Sequence, residues 1–297
     1  MWTSIIMNNQ ITIVIILYEE SESMVFKCLD NLQNFKIIIV DNAGNDLLKK
    51  KIEKKYDIYR YVLNPKNYGY SKAANQAIKI SNTDFILMFQ ADGIIKQGDI
   101  FELLEAHKKY ENTFITSPTY YDHNKDLSYN AGHFPEKNIK KNILNFNGDT
   151  CVETVLGSII MFKKKDMIDI GLYDENFFLY FLDFDLCRRA RKMKRSIIQV
   201  SKAKVVHAHG QIKVKNQLKK IYIRHFHLTF DELYYFFKVK KHEQIFQDLK
   251  KKVPKYIIKM IFNLIILRFS RVVYFVSKIM AFYKFNELFN KKKILNE

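Results

Sequence analysis

Apolar positions in the first third of the chain fall in short continuous runs, separated by stretches of helical spacing. ITIVIILY at 11–18 reads as a strand buried on both faces. The segment from Glu22 to Asn34 has the spacing of an amphipathic helix, and KIIIVD at 36–41 is a second buried strand. A Lys-rich helix near 46–56 and a short strand, IYRYVL, follow. Asn64-Pro65 then breaks the chain, Ser71 to Ser81 reads as a helix, and DFILMFQ at 84–90 is again a buried strand. β-Branched runs alternating with helices predict an α/β protein whose parallel sheet is covered on both faces. Ligands of such sheets bind beyond the carboxyl ends of the strands. Asp41, Asn42, Gln90 and Asp92 stand at those ends. Gly44 is alone after the second strand, so the Gly-rich dinucleotide fingerprint is missing and a nicotinamide or flavin cofactor is disfavoured.

The pattern changes twice further on. Residues 120–150 are polar and irregular, and after Gly157 the chain turns apolar (SIIMF) and then helical. Between Gly171 and Gly210, Asp183 and Asp185 open a basic helix, and a strand after it runs into His207-Ala208-His209-Gly210. A carboxylate at a helix start and a histidine at a strand end can complete an active site whose other half lies upstream. From about 215 onward long aromatic helices replace the α/β pattern, which divides the chain into a body at 1–212 and an extension at 213–297. Within the extension, Lys255 to Phe285 carries a narrow polar stripe at helical period on an otherwise apolar surface. No apolar run reaches the roughly 18 residues needed to span a bilayer. Two readings stay open: a basic amphipathic helix lying in the membrane interface, or a helix packed on the core or on a second copy of the chain.

Composition sharpens this outline. The chain has 297 residues, 48% hydrophobic, with nine glycines and four prolines, which is the make-up of a packed globular protein. Three unpaired-looking cysteines, Cys28, Cys151 and Cys187, suit a reducing compartment. The first ten residues have neither a basic n-region nor a long apolar core, so no signal peptide is expected and the location expected is cytoplasmic. The net charge of +18 is uneven, with 20 Lys/Arg against six Asp/Glu in residues 211–297. An anionic partner is expected for that region, at the inner face of the membrane. Its basic residues are interleaved with Ile, Phe and Leu, and no nucleic-acid-binding module is visible, so nucleic acid is the lesser reading.

Six ordered segments, VIILY, IIIVDN, NPKNYGYSKAANQA, FILMFQAD, GLYDENFFLYFLDFDLCRRA and VVHAHG, resemble the family 2 glycosyltransferases. The likeness covers residues 11–210 and points to the rhamnosyltransferase-like branch that builds bacterial surface polysaccharides. It implies a GT-A fold: a Rossmann-like, mixed but mainly parallel sheet with helices on both faces, here followed by a helical extension. It also implies a nucleotide-sugar donor, a divalent metal (Mn2+ or Mg2+) and inversion at the anomeric carbon. The expected reaction moves a hexose or deoxyhexose, such as rhamnose, from a UDP- or dTDP-sugar to a lipid-linked or polysaccharide acceptor of a lipopolysaccharide, capsule or similar polymer.

The resemblance assigns roles residue by residue. Asp41 takes the place of the aspartate that accepts from the nucleobase ring NH, although Asp41-Asn42 also suits a strand-end turn or helix cap. Tyr18, Asn42, Asn67, Gly69, Lys72, Asn75 and Gln90 fall on segments that surround the nucleotide sugar. Ser71 is expected to cap the helix after Gly69, with Lys72 either on phosphate or in solvent. Gln90-Ala91-Asp92 occupies the position of the metal-binding Asp-x-Asp, leaving Asp92 as the protein carboxylate, with His207 or else His209 as a further ligand. Asp183 takes the place of the general base, or else is a plain N-cap; Leu182 stands where the family usually shows a first acid. Gly157, Ser158 and Asp185 fall in the acceptor region, Asp185 reading equally as the partner of Arg188 or Arg189. Tyr222, Arg224 and His225 match a pyrophosphate-contacting element. Gln90 and Leu182 keep a non-catalytic scaffold open as the rival reading.

Overall fold

The apolar runs become a nine-stranded mixed sheet. A computed structural model of the chain describes residues 7–128, 131–137, 139, 146–207 and 216–295. Two compact units emerge, one from Met1–Glu175 with Leu182–Lys213 and the other from Asn176–Phe181 with Val214–Glu297.

In the first unit, β1 (Ile11–Leu17), β2 (Lys36–Asp41), β3 (Arg60–Leu63) and β4 (Phe85–Phe89) all run parallel, in the order β3-β2-β1-β4. Nearly every residue of β1, β2 and β4 is buried, which explains why these strands are continuously apolar: helices cover both faces. The connecting helices are α1 (Glu22–Asp30), α2 (Asp46–Lys55) and α3 (Tyr70–Ile80). α1 buries Val25, Cys28 and Leu29 at the i, i+3, i+4 spacing and is capped by Ser21. The helix expected over 22–34 is shorter than predicted because Asn31 folds its side chain back onto the carbonyl of Lys27 (2.8 Å). Before α3, Gly69 is the cap residue, with φ +84°. Ser71 therefore does not cap α3 as expected; it lies inside the first turn with its hydroxyl buried.

The second half of the sheet has no such clear mark in the sequence. After β4 the chain turns through Gln90–Asp92 into β5 (Gly93–Ile95), then α4 (Gln97–Lys109) and β6 (Thr113–Tyr121). Short strands β7 (Ala131–Gly132), β8 (Thr150–Cys151) and β9 (Thr154–Val155) precede β10 (Ile159–Lys163), α5 (Lys164–Asp169), α6 (Leu182–Lys192) and β11 (Ser196–His207). The order continues β4-β10-β6-β11-β5, with β10 antiparallel to both neighbours and β5 antiparallel to β11. The β4–β5 turn is tight, closed by the Gly93 amide on the Gln90 carbonyl (2.9 Å), so the end of β11, which pairs with β5, is brought to the end of β4. Gly93, the first residue of β5, sits in a tight place: a Cβ would lie 2.9 Å from Ile159 Cδ1, 3.1 Å from Phe89 Cζ and 3.2 Å from the Gln90 carbonyl.

The second unit contains α7 (Gln217–Lys238), α8 (His242–Ile265) and α9 (Phe269–Leu295). The single helix read over 255–285 is instead broken at 266–268, where Leu267 takes a left-handed conformation at φ +57°. Among the described residues no helix is long and apolar enough to cross a membrane.

Candidate active site

The strand ends gather the predicted residues in three groups. At the end of β2 the Asp41 carboxylate is almost wholly buried. It accepts from the amides of Ala43 (2.7 Å) and Asn45 (3.2 Å) and from the Tyr61 hydroxyl (3.2 Å). Asp41 therefore holds a strand-end turn, and each of its oxygens retains only the lone pairs those donors leave. Asn42 donates to the Gly69 carbonyl (3.1 Å) and accepts from Asn64 (2.9 Å), which ties this turn to the start of α3. Asn67 accepts from the Gly69 amide at 2.9 Å. Lys72 is exposed, its ammonium 4.8 Å from the centre of the Tyr68 ring. Asn75 is buried and pins the 173–175 loop through the backbone of Tyr173 (2.9 and 3.0 Å) and the Glu175 carboxylate (3.0 Å).

Sequence reasoning missed Glu20. It follows β1 and receives the amide of the half-buried Tyr18. Burial pushes the Glu20 carboxyl up to about 7, and the neighbouring negative charges of Asp41 and Asp92 add to that rise against two backbone hydrogen bonds that oppose it. Three acids thus share one electrostatic environment at the strand ends. The adjacent Glu19-Glu20 pair was the available signal.

The second group is Gln90, Asp92 and His207. Strand pairing sets Gly93 opposite His207, so the histidine arrives beside the turn. His207 Nε2 lies 3.0 Å from Gln90 Oε1 and 3.1 Å from Asp92 Oδ1, and the ring is buried. The Tyr120 ring packs edge-on against that of His207, with centroids 6.0 Å apart. Tyr120 also escaped the sequence reading, since nothing local marks it. Its buried hydroxyl reaches the Ile159 amide (2.9 Å), the Ile159 carbonyl (2.9 Å) and the Ser158 hydroxyl (3.1 Å), and so joins the histidine to the Gly157-Ser158 turn. His209 lies outside the described residues.

The third group is built around Asp183 in the first turn of α6. Its Oδ2 accepts from the Gly157 amide (3.3 Å) and its Oδ1 from the Phe184 amide (3.0 Å). A Cβ on Gly157 would stand 2.9 Å from the Cβ of Asp183. Asp185 points elsewhere: it is buried and pairs with Arg189 (2.8 Å), whose guanidinium also donates to the Ile170 carbonyl (2.7 Å). Leu182 is buried as well. In the second unit, the carboxylate of Asp231 accepts from the amides of Phe178 (3.3 Å), Leu179 (2.9 Å) and Tyr180 (2.8 Å). That segment leads by one further residue into Leu182 and Asp183. Tyr222, Arg224 and His225 lie on α7, also in the second unit.

Acids, an imidazole and amide-lined turns stand at the carboxyl ends of a sheet of mostly parallel strands, the architecture of the GT-A glycosyltransferases. The model of glycosyl transferase family 2 matches residues 12–171, more than half of the chain, and the chain belongs to that family. It is 26% identical over 216 residues to dTDP-rhamnosyl transferase RfbF of Shigella flexneri, covering 70% of this chain and 72% of that protein. Two solved structures share the fold. GalNAc-T7 with UDP, GalNAc and Mn2+ aligns at TM-score 0.55 and 13% identity over 70% of this chain, which spans 44% of that one. The mannosyltransferase PcManGT of Pyrobaculum calidifontis, in complex with GDP-Man and Mn2+, aligns at TM-score 0.54 and 13% identity over 93% of this chain and 86% of its own.

Two outcomes are expected from these contacts. Gly157→Ala forces Asp183 aside, because backbone-anchored atoms meet; turnover should fall roughly 10- to 100-fold with donor KM unchanged, as steady-state kinetics would show. Burial raises the Asp231 carboxyl from 3.8 to about 6 against three backbone hydrogen bonds. The folded chain therefore holds this proton where the unfolded chain has lost it, and the stabilisation declines as pH rises through about 6. Urea midpoints of the parent and Asp231→Asn should show the parent's relative stability falling between about pH 4 and pH 7.

Proposed function

We propose that this glycosyltransferase is an inverting, metal-dependent enzyme that moves a deoxyhexose, rhamnose, from a dTDP- or UDP-sugar to a glycan acceptor. The acceptor would be carried on a lipid or growing polymer at the inner face of the membrane. The observation that carries this reading is the meeting of Asp92, Gln90 and His207 within hydrogen-bond distance across the strand ends. The likeness to dTDP-rhamnosyl transferase RfbF supports the choice of sugar and nucleotide.

The donor set at that point suits a divalent cation: one carboxylate oxygen, one imidazole nitrogen and one amide oxygen face a common space. An imidazole among the ligands favours Mn2+ over Mg2+, which prefers oxygen alone. Among the described residues no three His, Cys, Asp or Glu side chains stand together as a ligand set, so phosphate oxygens and water would complete the coordination. When bound, the cation would offset the charge that develops on the departing diphosphate. His207 must give up its Nε2 proton to ligate, and the Tyr120 ring packed against it keeps the imidazole in place.

Asp183 serves as the base. It takes the proton of the acceptor hydroxyl while that oxygen forms its bond to the anomeric carbon and the bond to diphosphate breaks. The Gly157 and Phe184 amides orient its carboxylate. Asp185 is committed to Arg189 and supports α6 and the 170 turn from behind. At the nucleotide end, Asp41 offers its remaining lone pairs to the base ring NH, while Tyr18, Asn67 and Gly69 line the approach. Gln90 faces the sugar diphosphate, and Lys72 is near enough to the α3 start to meet phosphate. Asn42 and Asn75 act through the loops they hold. Gly157 and Ser158 face the acceptor.

Asp183→Asn should reduce transfer by at least about 1,000-fold while the nucleotide-sugar thermal shift is kept; unchanged turnover would remove Asp183 as the base. Transfer that survives EDTA undiminished would exclude Asp92 and His207 as metal ligands, whereas restoration by Mn2+ of an EDTA-silenced enzyme would support them.

A further inference from the structure

The turn between α8 and α9 carries a concentration of exposed apolar side chains. In α8, Val253 is the last fully buried residue. Beyond it only a thin stripe, Tyr256, Met260 and Asn263, is half-buried, with Tyr256 against Phe275 of α9 (ring centroids 5.6 Å). The rest of the surface is open: Ile258 is 68% exposed, Phe262 60%, Ile265 73% and Leu267 69%. Soluble surfaces seldom present so continuous an apolar patch unless something covers it. Leu267 sharpens the point. It adopts a left-handed conformation that glycine or asparagine takes at less cost, yet its side chain lies largely outside the protein.

Charge decides what the cover is. No Asp or Glu stands between Asp248 and Glu287, and Lys255, Lys259, Arg268 and Arg271 border the patch. A second copy of the chain would bring the same cations against themselves, which opposes self-association through this face. An anionic lipid surface matches both features: headgroups meet the cations, whose long stems can reach up beside the apolar side chains. No described helix is long and apolar enough to cross a membrane, so the contact is interfacial. We propose that the α8–α9 turn, residues 257–271, is the element that inserts into an anionic lipid surface, with Phe262, Ile265 and Leu267 entering the acyl boundary. This rests on the membrane location proposed above and narrows it. The α9 face bearing Phe275, Ala281, Phe282 and Phe285 is buried and unavailable to lipid.

The full-length chain, the double variant Phe262→Ser/Ile265→Ser and the reporter Phe262→Trp in a Trp2→Phe background decide the matter. Each is co-sedimented with vesicles of phosphatidylcholine alone or mixed equally with phosphatidylglycerol. Circular dichroism and the nucleotide-sugar thermal shift confirm that each variant is folded. The parent should bind the anionic vesicles and release at high salt, and the double variant should partition at least about tenfold less. The indole emission of the Phe262→Trp reporter should shift to the blue and be quenched by brominated lipid. Equal binding by parent and double variant, with the reporter unquenched, overturns the insertion site and leaves the membrane location standing. Failure of the parent to bind either vesicle overturns both. A concentration-dependent dimer that the double variant breaks, without vesicle binding, assigns the patch to a second copy instead.

Discussion

The backbone pairing of Gly93 with His207 is the constraint on which the proposed metal end of the site depends. It joins two places 114 positions apart, the exit of β4 and the end of β11. Because the Gln90–Gly93 turn is closed by a 2.9 Å hydrogen bond, β5 starts right beside the end of β4 and draws the end of β11 to it. A Cβ at position 93 would press on Ile159, Phe89 and the Gln90 carbonyl. The imidazole of His207 is thereby set beside the side chains of the turn.

A similar economy governs the proposed base, Asp183. Gly157 touches Asp183 twice, through an amide that donates to its carboxylate and through the space a side chain would fill. Tyr120 connects this turn to His207 with one hydroxyl and one ring. Tyr120 is thus a buried contact shared by the Gly157-Ser158 turn and His207. Asp231 adds a further layer within the second unit by collecting three amides of the segment that runs into α6.

Strands β1, β2 and β4 were legible because nearly every residue of each is buried and so nearly every position is apolar. The placement of Asp92 beside His207 and of Asp183 at a helix start was legible because their residue types and order resemble a family pattern. Glu20 and Tyr120 were not, since one follows a strand in an acidic pair and the other sits within an ordinary aromatic-rich strand; their significance comes from what faces them. Asp41 shows a different limit. Its type and place suggest a nucleobase contact, and its bonds to Ala43, Asn45 and Tyr61, which leave it fewer lone pairs for one, come only from folding of the loop. The helix read across 255–285 failed for a related reason. Helical periodicity continues through 266–268, but Leu267 takes up a conformation that periodicity does not encode.

By itself the sequence determined the α/β order, the strand ends that bear acids and the basic, aromatic nature of the extension. These follow from local burial patterns and charge, which each segment carries wherever it goes. Tertiary structure alone decided that β10 runs antiparallel between β4 and β6, that Gly93 lies against His207, that Asp185 belongs to Arg189 and not to the space beside Asp183, and that the exposed apolar surface of the extension gathers at one turn. Each of those depends on which distant segment comes to lie alongside, and close packing between remote residues leaves no periodic mark on the chain.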